Sequence, residues 1–302
     1  MSDDEVSTGI AGEDADWSCV FQEIQPLLKR VVGRIDVLSR CTDATSVTGI
    51  PTGFTDLDRI TSGLQPGELV IVAGRPSMGK TAFALNIVEH VALVEQLPVV
   101  IFSMEMSAGQ LALRMLGSLG RLDQYKMRTG TLNDAEWKQL TEIVEQLSKA
   151  AIFIDDSGIL NATELCSRAR WVHRRCGRPG FGLIVLDNLQ LIEGGNITRS
   201  LKALAQELNV PVIALTGLTR AIEERSNKRP VMPDLRGSKV IEQDTDLIFF
   251  IYRDEVYDPD SPDKGKAEVI IGKHRNGPIG TVMLNFLGQY SRFENYRWPY
   301  GR

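Results

Sequence analysis

Eight consecutive residues combine glycine, lysine and threonine at a spacing that can bind phosphate. Gly74-Arg75-Pro76-Ser77-Met78-Gly79-Lys80-Thr81 matches GxxxxGK[ST] between an apolar run and a helical pattern. Glycines let backbone N–H groups turn toward a phosphate, and the N-terminus of the following helix adds positive potential. We expect Lys80 to neutralise the β- and γ-phosphates and the Thr81 hydroxyl to bind Mg²⁺. The segment therefore predicts a site for ATP and Mg²⁺; the alternative is a glycine-rich turn that binds nothing.

Two acids follow apolar runs that read as buried strands. Asp187 ends the run LIVLD, and Glu105 follows the run at 99–103. Because ligands bind at the carboxyl ends of strands in open α/β sheets, both acids are placed near the phosphates. We expect Asp187 to be a magnesium ligand and Glu105 to orient and polarise the attacking water. The alternatives are structural: an N-cap for Asp187, and a capping or first-turn acid for Glu105.

The elements that must position these groups alternate between short apolar runs and helical patterns. The runs lie at 69–73, 99–103, 151–154, 183–186 and 212–215. This alternation is typical of an α/β fold with a mostly parallel sheet and helices on both faces. The runs at 247–252, 267–272 and 281–286 lie close together, and Asn276-Gly277 separates the last two. They predict antiparallel strands at one edge of the sheet.

The N-terminal part predicts two further segments. Residues 1–20 hold six acids and no Lys or Arg, which is typical of a flexible, solvated tail. Apolar residues then recur at helical spacing and predict one amphipathic helix at about 26–40. We therefore predict an acidic tail at 1–20, a linker helix and linker at 21–47, and an ATPase domain at 48–302. The exposed apolar face of the helix requires a partner, either the main domain or another subunit.

Composition sets limits on the class of protein. The 302 residues carry a net charge of −5, and without the six N-terminal acids the rest carries +1, so any nucleic-acid binding depends on local basic patches. No apolar run is long enough for a membrane span, and the acidic N-terminus is unlike a secretory signal, so we expect a cytoplasmic protein. Four widely spaced cysteines predict reduced thiols, and no metal site is assigned to them.

A series of motifs gives a more specific indication. In chain order they are GIPTGFTDLDRITSGLQPGELVIVAGRPSMGKT, IFSMEM, RSLKALAQELNVPVIALT, IEQDTDLIFFIYRDE and IGKHRNGPIGT. Over about residues 21–302 the sequence resembles the C-terminal motor domain of DnaB-type hexameric replicative DNA helicases. The resemblance implies a RecA-like P-loop NTPase core and a homohexameric ring. It also implies ATP-driven movement, 5′ to 3′, along single-stranded DNA in replication.

The resemblance also implies roles for individual residues. Glu105 would be the catalytic carboxylate that activates water. Lys273 and Arg275 would reach the γ-phosphate of a nucleotide held by the neighbouring subunit and stabilise the transition state in trans. From spacing alone, two cations at the mouth of a hairpin are more typical of a solvated turn. The helix at 26–40 resembles the linker helix that docks on an adjacent subunit.

The same resemblance indicates where single-stranded DNA would lie. The matching loop holds Arg236, Gly237, Ser238 and Lys239, whose cations and backbone amides would contact phosphates without reading bases. A separate basic run lies on a helix with Trp171 and reads as a solvated face or, alternatively, as a nucleic-acid patch. Its members are Arg168, Arg170, Arg174, Arg175 and Arg178.

The sequence departs from the family pattern at several positions. Gly217 stands where the family has a glutamine that senses the γ-phosphate, and glycine cannot make that hydrogen bond. Gly237 replaces a glutamate, Lys239 a glycine and Asn188 an aromatic residue, and the loop at 193–197 is short. From the resemblance we expect the acidic tail to stand in place of the family's N-terminal domain, which makes primase contact doubtful.

These departures leave three hypotheses. The first is an ATP-driven DNA helicase or translocase in a homohexameric ring. The second is a helicase-like ATP-binding interaction protein that joins or inhibits a full-length helicase ring. The third, a RecA-like recombination or partitioning ATPase, fits GKHRNGPIG and the linker helix less well.

Overall fold

The computed structural model describes residues 23–40, 47–177, 181–193, 196–235 and 237–297. The predicted acidic tail at 1–20 and two of the basic residues, Arg178 and Arg236, lie outside these ranges. Backbone contacts divide the chain between Ser46 and Val47. The two parts are therefore described separately, and the domain division at 20/21 and 47/48 remains a prediction.

The predicted helix before Val47 is confirmed and begins slightly earlier than expected. Helix α1 spans Ile24–Arg40, with Pro26 in its first turn, where the missing N–H breaks no intrahelical bond. Its apolar positions Ile24, Val31 and Ile35 are exposed. Docking of this face on another subunit remains a prediction.

The part from Val47 onward contains eight further helices and nine strands among its described residues. In chain order they are α2 (Thr55–Thr61), β1 (Leu69–Gly74), α3 (Lys80–Leu93), β2 (Val99–Ser103), α4 (Ala108–Gly120), α5 (Gln124–Thr129), α6 (Asp134–Ser148), β3 (Ile152–Asp155), α7 (Ala162–Cys176), β4 (Leu183–Asp187), α8 (Ile197–Leu208), β5 (Val212–Gly217), α9 (Ser238–Asp244), β6 (Leu247–Tyr252), β7 (Lys266–His274), β8 (Gly280–Leu287) and β9 (Arg292–Asn295). Short 3₁₀ turns connect some of them.

The strands form one sheet in the order β3-β2-β4-β5-β1-β6-β7-β8-β9. Neighbours from β3 to β6 run parallel, and β7, β8 and β9 are antiparallel to their neighbours. The α/β fold class and the β7–β8 hairpin are thus confirmed. One prediction was wrong in part, because β6 pairs in parallel with β1 and joins the parallel sheet. Strand β9 was not predicted, since it has four residues and only Phe293 is buried.

Alternate residues of the central strands pack into separate cores on the two faces of the sheet. Val70 and Val72 of β1 pack with the apolar side of α3 and α4. Leu69 and Ile71 pack on the opposite face with α7 and α8. A strand buried on both faces needs apolar residues at every position, which explains the unbroken apolar runs in the sequence.

The last strand lies beside the start of this part of the chain. The side-chain oxygen Oδ1 of Asn295 accepts a hydrogen bond from the Thr55 backbone N–H at 2.9 Å. Its Nδ2 donates to the Gly53 carbonyl oxygen at 3.1 Å. Strand β9 therefore closes the sheet edge against the segment that enters α2.

None of the helices in the described residues has the length and apolar character of a membrane span. Within the same ranges, Cys166 is buried and Cys176 half-buried, and both are free thiols. No cluster of histidine, cysteine and acidic side chains suited to a metal occurs there.

Candidate nucleotide-binding site

The loop between β1 and α3 has the backbone that phosphate binding requires. Gly79 has a φ of +96° immediately before Lys80, in the region that glycine tolerates best. A Cβ on Gly74 would lie 3.0 Å from the Ile251 carbonyl oxygen, a tight contact that would require the backbone of β6 to shift by a few tenths of an ångström. The glycines thus turn the loop back over the N-terminus of α3.

Lys80 is the first residue of α3, directly after the loop, and is half-buried. Its Nζ donates to the Arg75 carbonyl oxygen at 3.3 Å, a long bond that spans the loop. Burial lowers the pKa of Lys80, and the nearby carboxylates of Asp187 and Glu105 oppose that shift. A partly desolvated cation without a carboxylate bonded to it is suited to receive a phosphate.

Thr81 and Asp187 are brought together from distant parts of the sequence. The Thr81 hydroxyl donates to Asp187 Oδ2 at 2.8 Å. Burial raises the pKa of Asp187, and Glu105 raises it further, whereas the Thr81 hydrogen bond lowers it. Asn188, rather than Asp187, is the N-cap of the following 3₁₀ turn. The N-cap alternative for Asp187 is therefore wrong.

Glu105 lies two residues beyond the end of β2. The last residue of β2, Ser103, pairs with Asp187 on the neighbouring strand β4. The N-cap of α4 is Ser107, which accepts from the Gln110 N–H while the Gln110 side chain accepts in return. Glu105 is therefore neither the N-cap nor a first-turn acid of α4. Its exposed carboxylate lines the same cleft as Lys80 and Thr81, where it can reach a water molecule.

The cleft has a volume of about 630 Å³. Its lining includes Glu105 and six residues of the predicted loop: Arg75, Pro76, Ser77, Gly79, Lys80 and Thr81. The Met78 side chain is buried in the core instead, and Gly74 is buried at the strand end.

The cleft also contains residues that the sequence analysis did not select. These are Arg114, Asn188, Gln190, Arg220, Phe286 and Ser291. Gln190 lies three residues after the end of β4. The expectation that ligands bind at the carboxyl ends of parallel strands, which identified Asp187, could therefore have identified Gln190 as well. Arg114 lies within α4 and Phe286 in the antiparallel hairpin. Only tertiary packing places those two beside the loop.

Two arginines, Arg75 within the phosphate-binding loop and Arg253 outside it, hold the loop in place. The Arg75 Nε donates to Glu223 Oε1 at 2.6 Å, and its Nη1 donates to the Leu218 carbonyl oxygen at 3.2 Å. Arg253 Nη1 donates to the Ser77 carbonyl oxygen at 2.9 Å. These contacts fix the loop to the ends of β5 and β6, so its backbone amides are positioned before a ligand arrives.

The donor set fits a nucleotide with Mg²⁺. A hydroxyl and a carboxylate 2.8 Å apart supply the hard oxygen ligands that this ion prefers, and phosphate oxygens and water usually complete its octahedron. The helix N-terminus and Lys80 supply the opposite charge for phosphates. Residues that follow three separate strands, β1, β2 and β4, therefore lie in or beside one cleft.

The structure places Lys273 and Arg275 outside this cleft. Lys273 Nζ donates to the carbonyl oxygens of Glu242 and Thr245, the latter at 2.6 Å. Arg275 Nη1 donates to Asp246 Oδ1 at 3.0 Å. Burial, followed by the adjacent Arg275, lowers the pKa of Lys273. Both cations are therefore organised around the C-terminal end of α9, where helix carbonyls favour positive charge.

The predicted DNA-contact residues lie at the other end of α9. Gly237 is the N-cap with a φ of +68°, Ser238 begins the helix, and Lys239 is exposed. Arg236 lies outside the described residues.

Two arginines of the basic run on α7, Arg168 and Arg170, form ion pairs. Arg168 contacts Asp155 at 2.7 Å and also pairs with Glu164, and Arg170 makes two 2.8 Å bonds to Glu207. This pairing favours a solvated face over a nucleic-acid patch.

Comparisons with known proteins give consistent results. The family model for the DnaB-like helicase C-terminal domain matches residues 49–295. The replicative DNA helicase DnaB of Haemophilus influenzae is 52% identical over 287 residues, which cover 91% of this chain and 61% of that protein. The chain thus spans about three fifths of the length of the curated relatives it matches.

Solved structures agree with this match. One of them, described as an ATPase domain, has a TM-score of 0.85 and 36% identity, covering 92% of this chain and all of that one. A DnaB-like replicative helicase, described with its interactions with primase, has a TM-score of 0.80 and 36% identity over 92% of this chain and 68% of that one. These matches confirm the RecA-like core that the resemblance implied.

Proposed function

Since the chain belongs to the DnaB-like helicase C-terminal domain family, we propose that it is an ATP-dependent DNA helicase motor. It hydrolyses ATP with Mg²⁺ and moves along single-stranded DNA as a homohexameric ring in DNA replication. The observation that carries this proposal is a cleft lined by Lys80, Thr81 and Glu105, with the Thr81 hydroxyl 2.8 Å from the buried Asp187 carboxylate.

Each residue of the cleft has a defined task in hydrolysis. The loop amides and Lys80 bind the phosphates, and Thr81 with Asp187 would hold Mg²⁺, which neutralises charge developing on the phosphate oxygens. Glu105 accepts a hydrogen bond from the attacking water and orients it toward the terminal phosphate. Arg75 and Arg253 hold the loop so that little reorganisation accompanies the reaction.

The completion of the site by a second subunit is part of the proposal. Lys273 and Arg275 are proposed to serve a nucleotide bound by a neighbour, and their position beside α9, outside the cleft lining of their own chain, supports this role. A cation supplied in this way stabilises the transition state by a large factor. The ring would be held together by α1, whose apolar side chains are exposed.

Contact with DNA is assigned to the loop that begins α9. Arg236, Gly237, Ser238 and Lys239 would bind phosphates of single-stranded DNA without selecting bases. Primase contact is not included in the proposal. A full-length replicative helicase is a further candidate partner through α1.

Steady-state ATP hydrolysis with and without single-stranded DNA tests the proposal. The expected result is turnover that DNA stimulates and that Glu105→Gln lowers by about 10²- to 10⁴-fold while nucleotide still binds. Turnover that ignores DNA would contradict translocation. Binding without turnover would indicate the alternative, an interaction protein that joins or inhibits a helicase ring.

A further inference from the structure

Gln190 occupies a position shared by two cavities. Its side chain lines the nucleotide cleft together with Lys80, Thr81 and Glu105. It also lines a second cavity of about 410 Å³ that reaches Gly237 and the exposed side of α9. The second cavity therefore lies between the nucleotide cleft and the loop assigned to DNA.

The backbone of Gln190 is fixed, whereas its amide group is weakly held. The Gln190 N–H donates to Asn188 Oδ1 at 3.1 Å, within the 3₁₀ turn that follows β4. Its Nε2 donates to the Gly217 carbonyl oxygen at 3.4 Å, near the limit for a hydrogen bond. A charged phosphate oxygen is a stronger acceptor than this distant neutral carbonyl. The side chain is thus ready to exchange one acceptor for the other.

The glycine at 217 provides the room for this arrangement. A Cβ built on Gly217 would lie 3.3 Å from Gln190 Oε1, so the amide fills the space in front of the strand end. The residue before it, Thr216, is buried, and its Oγ1 has no hydrogen-bond partner within the described residues. Thr216 lines the second cavity, so a polar group free to accept or donate lies on the route from Gln190 to α9.

A short chain of bonds continues from Gly217 to the DNA-contact loop. Leu218 forms an antiparallel bridge with Leu235, and the Thr219 N–H donates to the Asp234 carbonyl oxygen at 2.8 Å. Gly237 follows Leu235 by two residues. A displacement at the Gly217 carbonyl therefore reaches the start of α9 through two bonded segments.

We propose that the Gln190 amide contacts the terminal phosphate of the bound nucleotide and reports its presence, through Gly217, to the loop at 237–239. Gln190 has the sensing role that position 217 cannot perform in this chain. The inference rests on the proposed function for its DNA-dependent part, but the phosphate contact is independent of DNA.

Nucleotide binding by the full-length chain tests the contact directly. Gln190→Ala is compared with the wild type for affinity toward a fluorescent ATPγS and the matching ADP. Loss of a hydrogen bond to a charged phosphate predicts about tenfold weaker ATPγS binding, with ADP binding unchanged. Gln146→Ala, on the exposed face of α6, is the matched control and leaves both affinities unchanged.

Transfer of the amide group from position 190 to position 217 should restore ATPγS binding. A purely structural role of Gln190 does not predict this rescue. In Gln190→Ala/Gly217→Gln the space vacated by residue 190 receives the new side chain, so ATPγS affinity and DNA-stimulated turnover return toward wild-type values. Gln190→Ala alone reduces the stimulation of ATP turnover by single-stranded DNA. Its melting temperature stays at the wild-type value.

Two results would overturn the inference. One is a Gln190→Ala variant with wild-type ATPγS affinity, and the other is equal weakening of ATPγS and ADP. A wild-type protein that ignores DNA would count against the proposed function instead. In that case the difference between ATPγS and ADP still decides whether Gln190 contacts the phosphate.

Discussion

The two ends of β1 support very different polar groups. At its carboxyl end, Lys80 and Thr81 face a cleft that the Glu105 carboxylate also lines, and the Thr81 hydroxyl donates to the buried Asp187. At its amino end, Asp246 is buried and fully bonded, accepting from the Leu69 N–H at 2.9 Å, Lys202 at 2.6 Å and Arg275 at 3.0 Å. Six residues of strand separate these ends by about 17 Å.

The difference shows how one chain can divide a reaction between two places. The cleft holds the groups that are proposed to bind a nucleotide and to orient water. The amino end holds the cations in an ordered cluster, too far away to serve the same nucleotide. If both sets act on one phosphate, they must come from different subunits. The following predictions test this division, beginning with the largest effect.

Arg275→Ala is expected to lower turnover by about 10³-fold with little change in ATP affinity, because an arginine supplied in trans acts on the transition state. The measurement is steady-state hydrolysis together with nucleotide binding. Mixing this variant with Lys80→Ala, which retains Arg275 but lacks the phosphate-binding lysine, should restore part of the turnover. Failure of the mixture to recover activity would show that the two ends do not cooperate between subunits.

Asp187→Asn is expected to reduce turnover by about 10²-fold, since removing one transition-state contact of this kind has an effect of that size. The apparent Mg²⁺ requirement should also rise, because a charged ligand becomes neutral. A magnesium titration of the hydrolysis rate measures both changes. Asp156→Asn, at an exposed acid outside the cleft, serves as the control. An unchanged Mg²⁺ requirement would remove Asp187 from the metal site.

Asp246→Asn is expected to destabilise the fold by about 3 kcal/mol, because Lys202 loses its buried carboxylate partner. Urea unfolding measures this loss. ATP affinity of the folded variant should remain close to that of the wild type, since the cleft lies at the other end of β1. A loss of nucleotide binding larger than the loss of stability would show that the two ends are not independent.

Glu89 on α3 offers a test through pH. Burial raises its pKa to about 8, against hydrogen bonds from Ser118 and Asn86. The folded state therefore keeps a proton that the unfolded chain releases near pH 4.5, so stability should fall as pH rises from there to about 8. The slope approaches about 1.4 kcal/mol per pH unit for one proton.

Glu89→Gln removes this titration, and its melting temperature should decline less than that of the wild type between about pH 6 and 8. Glu145→Gln, at an exposed site on α6, should behave like the wild type. If the melting temperatures of the wild type and Glu89→Gln change with pH in the same way, the raised pKa of Glu89 is contradicted. Such a result would show that Glu89 does not titrate between about pH 6 and 8 in the folded protein.

The sequence was most informative where a strand end fixes the position of a side chain. Asp187 and Glu105 could be placed because the carboxyl ends of parallel strands meet at one edge, whatever the strand order. The parallel pairing of β6 with β1 could not be predicted, because the crossover that produces it leaves no local pattern. The positions of Arg114 and Phe286 in the cleft could not be predicted for the same reason, because the packing of α4 and of the antiparallel hairpin brings them there.

Asn295 links Thr55 and Gly53 to β9, so the beginning and the end of the ATPase fold are neighbours. A protein whose ends meet in this way tolerates being opened elsewhere and rejoined at its termini. A linker between residues 297 and 47 that is long enough to pass α2 would thus produce a circular permutant with the same sheet. The fold from Val47 onward is in this sense a closed module.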